Sequence, residues 1–101
     1  MKADEFAKLC RREKDSILKE YSEGSRLSAL DLDEEQTKAL RLWLNDALTD
    51  AFYTLLLGLD GSASIGGVQQ IYKVHDESGE LISECGELEA AAYDHFQDDD
   101  D

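Results

Sequence analysis

Val68-Gln-Gln-Ile-Tyr-Lys-Val74, His75, Asp76-Glu-Ser-Gly79 and Glu80-Leu-Ile-Ser-Glu-Cys85 together decide whether this chain is helical throughout or carries strands. Two short runs containing β-branched and aromatic residues flank a tetrapeptide suited to a type I turn with Gly79 left-handed, and that combination predicts a β-hairpin. In the register this implies, Tyr72 and Val74 share a face with Leu81 and Cys85. Lys73, His75, Glu80 and Glu84 lie on the other face, where cross-strand charge pairs form. A two-stranded hairpin alone is marginal in water, so it is expected to pack on helices or to pair with a partner's edge.

Upstream, Gly58 to Gly67 holds four glycines and two serines in ten residues and reads as a loop. Before it, Thr37 to Leu57 contains neither Gly nor Pro, and apolar residues recur from Leu40 through Trp43, Leu44, Leu48 and Phe52. The pattern predicts a central helix about 30 Å long with Trp43 and Phe52 in the core. Asp33 followed by Gln36 forms a capping box at its start, and Glu34 and Glu35 suit the helix dipole there. The last turns, Ala51-Phe-Tyr-Thr-Leu-Leu-Leu57, are apolar on nearly every side and require cover from the fold or from a second subunit.

Residues 3 to 21 place Phe6, Cys10, Ile17 and Tyr21 on one stripe of an amphipathic first helix, which Gly24 is placed to stop. Ser25 to Leu32 reads as a connector. After Gly86, residues 87 to 96 bring Leu88, Ala91, Ala92 and Phe96 to one face of a short final helix. The expected fold class is therefore α+β: one small domain over residues 1–97, in the order α-α-β-β-α, with a C-terminal hairpin. Asp98 to Asp101 read as a disordered acidic tail.

Charge is distributed unevenly along the chain. Residues 1–30 carry seven basic and six acidic side chains, whereas Val74 to Asp101 carries eleven acidic side chains and no Lys or Arg, within a net charge of −14. Phosphate backbones and anionic headgroups both require neutralisation by Lys or Arg, so neither nucleic acid nor a membrane is an expected partner. A basic protein is steered toward such a surface, although net charge also serves solubility. No apolar stretch approaches the ~20 residues that span a bilayer, and the first residues run straight into charge. A cytoplasmic location is expected. Cys10 and Cys85 stand too far apart in unlike contexts for a disulfide framework or zinc site and read as free buried thiols.

Catalytic and cofactor patterns fail on inspection. The Gly58–Gly67 loop follows a helix and precedes a predicted strand, the reverse of a phosphate-binding loop, and Asp60 would repel phosphate. Asp31-Leu-Asp-Glu-Glu35 lacks the Gly and terminal Glu of a calcium loop. Cys85 and His75 fall on opposite faces of the predicted hairpin, so no base reaches the thiol. No enzyme activity, cofactor or dedicated metal site is expected. The remaining features are those of interaction: rings beside carboxylates suit Lys and Arg, offering a cation-π face and charge-assisted acceptors.

The segments Leu55-Leu-Leu-Gly-Leu-Asp-Gly-Ser-Ala-Ser-Ile-Gly-Gly67 and Tyr72-Lys-Val-His-Asp-Glu-Ser-Gly79 look like parts of small, acidic, uncharacterised bacterial proteins. In size and acidity the whole chain resembles immunity proteins that neutralise bacterial toxins. That resemblance implies an inhibitor covering the basic active site of a toxic nuclease with a carboxylate-rich face, and it assigns no individual residue.

The expectation is thus a non-enzymatic binding module that docks on a basic protein through Glu80, Glu84, Glu87, Glu89, Tyr93 and Asp94. One alternative is a structural or regulatory homodimer joined through the apolar end of the central helix and the hairpin edge. Another is a small ligand-binding protein with its site near the 58–67 loop.

Overall fold

Among the described residues four helices form: α1 (Ala3–Glu23), the single turn α2 (Ser25–Ser28), α3 (Glu34–Leu59) and α4 (Glu87–Phe96). The computed structural model describes Met1–Gln97, and the expected acidic tail, residues 98–101, lies outside the described residues. α3 begins where its capping box predicts. The Gln36 amide donates to Asp33 Oδ1 at 2.8 Å and the Asp33 amide donates to Gln36 Oε1 at 3.0 Å, which satisfies two otherwise unpaired groups. The connector of residues 25–32 contains the α2 turn.

The expected hairpin does not form, and the fold class is corrected from α+β to helical. Among the described residues there is no sheet, only two isolated antiparallel bridges, Ile65 with Val68 and His75 with Leu81. The turn itself is present: Gly79 has φ +92° and its amide donates to the Asp76 carbonyl at 3.0 Å. What stops the ladder is a side chain. Buried Ser83 donates from its hydroxyl to the Tyr72 carbonyl at 2.8 Å and accepts from the Val74 amide at 2.9 Å. Those groups are thereby taken from strand pairing. The predicted facing also shifts, because Ile82 is the residue buried in the core while Cys85 is exposed.

α1, α3 and α4 pack on one another at one end of an elongated molecule of 47 × 28 × 26 Å. The core joins Ala3 and Ala7 of α1, Leu56 of α3, Ile82 of the 60–86 segment, and Leu88, Ala91, Ala92 and Phe96 of α4. Alanines on both α1 and α4 let these helices approach closely. Phe52 stacks on Phe96, with ring centroids 6.1 Å apart and planes 10° apart, which adds about 1 kcal/mol to simple burial. The other half of α3 has α1 alongside it and little else. Trp43, expected in the core, is 68 % exposed.

The long segment between α3 and α4 is held by close contacts at both ends. A Cβ on Gly58 would lie 2.4 Å from the Ile65 side chain, so the glycine inside α3 is what allows the loop to fold back on the helix. Gly66 and Gly67, both with positive φ, form the two-residue turn of the Ile65–Val68 bridge. At the far end the N-terminal amine donates to both Asp76 and Glu80. Those carboxylates raise the amine's pKa above its ordinary 8.0, while the amine, ahead of Ser78 for Asp76 and Lys2 for Glu80, lowers theirs.

A raised amine stabilises the fold below pH 8.0 and loses that contribution as pH climbs through its folded value. Depressed carboxylates act in the opposite sense, stabilising above their ordinary range near pH 4 and losing the effect as pH falls through their lowered values. The Ser78 and Glu80 amide resonances should therefore show an inflection above pH 8.0 in an NMR titration. Resonances that stay flat through that range would remove the clip between α1 and this segment.

Candidate functional site: an acidic groove between α1 and α4

α4 is placed by a cap from outside its own sequence. Gly86 precedes the helix with φ +82° and offers no side chain, and buried Asp60 beyond α3 supplies the acceptor instead. The Gly86 amide donates to Asp60 Oδ1 at 3.2 Å and the Glu89 amide donates to Oδ2 at 2.9 Å. Both carboxylate oxygens thus meet the positive end of the helix. At the other end Arg11 of α1 donates to the His95 carbonyl. With Leu88, Ala91, Ala92 and Phe96 turned inward, Glu87, Glu89, Ala90, Tyr93 and Asp94 are all exposed.

A groove of about 340 Å³ runs between this helix and the start of α1. Its floor is Ala3, Ala90 and Ala91, and its rim carries the carboxylates of Asp4, Glu87 and Asp94. Lys2 also lines it, but its Nζ lies 3.3 Å from Glu80 Oε2. Asp4 Oδ1 meets His95 Nε2 at 2.9 Å. Among the described residues neither Glu87 nor Asp94 pairs with a cation of the chain. An apolar floor with carboxylates at its edge accepts the methylene stem of a Lys or Arg and leaves charge-assisted acceptors for its head.

The six residues expected to contact a partner divide in two. Glu87, Glu89, Tyr93 and Asp94 share the outer surface of α4, with Tyr93 54 % exposed and one turn beyond Glu89. Glu84 is exposed just before the helix, where its carbonyl accepts from the Glu87 amide at 3.0 Å. Glu80 is held apart, half-buried and bound to the N-terminal amine and Lys2. The Glu89 carboxylate accepts from the Ser62 hydroxyl at 3.0 Å. Sequence reasoning missed Asp4, ninety residues from Asp94 in the chain. No local pattern connects them.

The other polar concentration is structural. Lys14, 3 % exposed, donates to Asn45 Oδ1 at 2.9 Å and lies 3.0 Å from Asp15 Oδ1, which ties α1 to α3. Cys10 is half-buried, and desolvation raises its thiol pKa; Cys85 is exposed rather than buried as expected. The glycines of the 58–67 loop serve the turns and close packing described above. Among the described residues no helix is long and apolar enough to cross a membrane. No family model, curated protein or solved structure matches this chain.

Proposed function

We propose that this chain is a non-enzymatic, acidic protein-binding module that docks a basic protein on the α1–α4 groove and the outer face of α4. The observation that carries this reading is the rim of Asp4, Glu87 and Asp94 around an alanine floor. A Lys or Arg entering the groove buries its stem on Ala3, Ala90 and Ala91, and exposed Tyr93, further round α4, adds contact area for a partner that reaches across the helix. Its size and acidity suggest an inhibitor of the immunity type, covering the basic active site of a nuclease. Long-range attraction from the acidic C-terminal half raises the association rate more than it slows dissociation.

The test uses the full chain as bait in a lysate of the cells that make it, with a salt gradient for elution. A triple variant, Glu87→Gln, Asp94→Asn and Asp4→Asn, serves as the comparison. A basic protein should leave the wild-type chain at moderate salt, and the variant should retain it at least tenfold more weakly with unchanged thermal stability. Equal retention by both chains would place the contact elsewhere and remove the groove from the reading.

A further inference from the structure

At the corner where α1 ends, α2 turns and α3 begins lies a cavity of about 340 Å³, and we propose that it binds a small primary alkylammonium ion. Ser22, Glu23, Leu27, Asp31, Leu32 and Thr37 line it. Along α1 this corner is about 28 Å from Ala3 and the α1–α4 groove. Ser22 is what points to a ligand. It is 6 % exposed, and its Oγ is the one buried side-chain polar atom among the described residues without a hydrogen-bond partner. Buried polar groups are nearly always satisfied, because an unpaired one is costly to keep. A donor bound in the cavity that Ser22 helps to wall supplies the missing partner.

The end of α1 sets the charge of that donor. The helix closes on Glu20 and Glu23 with no basic residue in its last turn, so carboxylates lie at its negative pole, where a cation is favoured. Gly24 is extended, with φ −89° and ψ 175°, rather than in the left-handed conformation that caps the final carbonyls. The Leu27 amide bonds to the Gly24 carbonyl and the Ala29 amide to Ser25, not to α1. A Cβ at residue 24 would lie 2.7 Å from the Glu20 carbonyl oxygen, so glycine leaves that oxygen uncovered.

Asp31 adds a second carboxylate. Among the described residues it is the one non-glycine with positive φ, +54°, and backbone strain of this kind collects at ligand clamps. Neither Glu23 nor Asp31 pairs with a cation of the chain among the described residues. Arg26, the only Lys or Arg between Glu20 and Gln36, lies over the Tyr21 ring, 4.9 Å from its centroid. The walls then favour an organic cation over a metal. No three His, Cys, Asp or Glu side chains among the described residues gather to hold a metal ion, and the volume falls at the low end of small-molecule pockets. An ammonium brings three N–H donors for Ser22 Oγ, the carboxylates and the α1 carbonyls, and its carbon chain lies on Leu27 and Leu32.

Titrating the ¹⁵N-labelled full chain with n-butylammonium chloride tests this independently of the α4 groove, with 1-butanol, calcium chloride and Nα-acetyl-lysine methylamide as separate arms. Butylammonium should give saturable shifts in the millimolar range, centred on Ser22, Glu23, Asp31 and Thr37, and butanol should give none there. Ser22→Ala should weaken binding about tenfold, the loss of one hydrogen bond to a charged group. Its thermal midpoint should hold or rise, because the substitution removes an unpaired oxygen. Asp31→Asn, which suits the same left-handed backbone, should weaken binding by a similar factor. Unchanged binding in Ser22→Ala overturns the proposal, as do shifts that never saturate or that spread over the whole acidic surface. Calcium acting on these residues at lower concentration than the amine overturns it in favour of a metal. A capped lysine that binds more tightly than butylammonium overturns the free amine in favour of a protein side chain.

Discussion

Asp60→Ala should lower the unfolding free energy by about 3 kcal/mol and loosen α4 before the rest of the molecule. The buried Asp60 carboxylate accepts from Gly86 and Glu89 amides at 3.2 and 2.9 Å. Hydrogen bonds to a charged group contribute about 1.5–3 kcal/mol each, and the alanine would leave two amides without their acceptor. The lower end of that range applies, because Glu87 and Glu89 crowd the same helix end and repel the carboxylate. Asp60→Asn keeps an acceptor of the same shape but loses the charge and one oxygen, so about half the loss is expected. Urea denaturation followed by circular dichroism measures both. An alanine variant within 0.5 kcal/mol of wild type, the range of an ordinary surface substitution, would show that Gly86 starts this helix unaided.

Leu88→Ala should be comparably damaging, at about 3–4 kcal/mol, because it empties the one large side chain that is fully buried among the described residues. Truncating a buried Leu loses its transfer free energy and leaves a cavity that the surroundings only partly fill. Elsewhere the buried core is mostly alanine, which cannot move in to replace it. For a small domain with 5–15 kcal/mol of total stability, either substitution removes a large share. Leu42→Ala supplies the control: its side chain is 61 % exposed, and less than 0.5 kcal/mol should be lost. The costs of Asp60→Ala and Leu88→Ala should not add fully, since both act by releasing α4. Full additivity in the double variant would mean that cap and core hold different units.

The three long helices were readable because their signals are local, whereas the α2 turn fell within a stretch read as a connector. The capping box of Asp33 and Gln36 lies within four residues, and the inward face of α4 repeats within ten. The hairpin failed for a reason equally physical. Its turn signal at Asp76 to Gly79 is real, but the flanking backbone satisfies itself through Ser83 and through a Tyr72 amide that donates to Leu59 at the end of α3. Propensity cannot see such competition from a helix end. The same distance hid Asp60 as the cap of α4 and Asp4 as a wall of the groove. Trp43 was misplaced because periodicity assigns apolar residues to a covered face, and only one end of α3 is covered on all sides within the chain.

The α1–α4 groove as a receptor for a basic side chain is tested most directly by titrating the ¹⁵N-labelled full chain with a capped tri-arginine peptide and following each amide resonance. Shifts should concentrate at Asp4, Glu87, Ala90 and Asp94, shrink as salt rises, and vanish in the Glu87→Gln, Asp94→Asn, Asp4→Asn variant. Shifts spread evenly over all the acidic residues, or unchanged in that variant, would contradict a built groove and leave the acidity as a diffuse field.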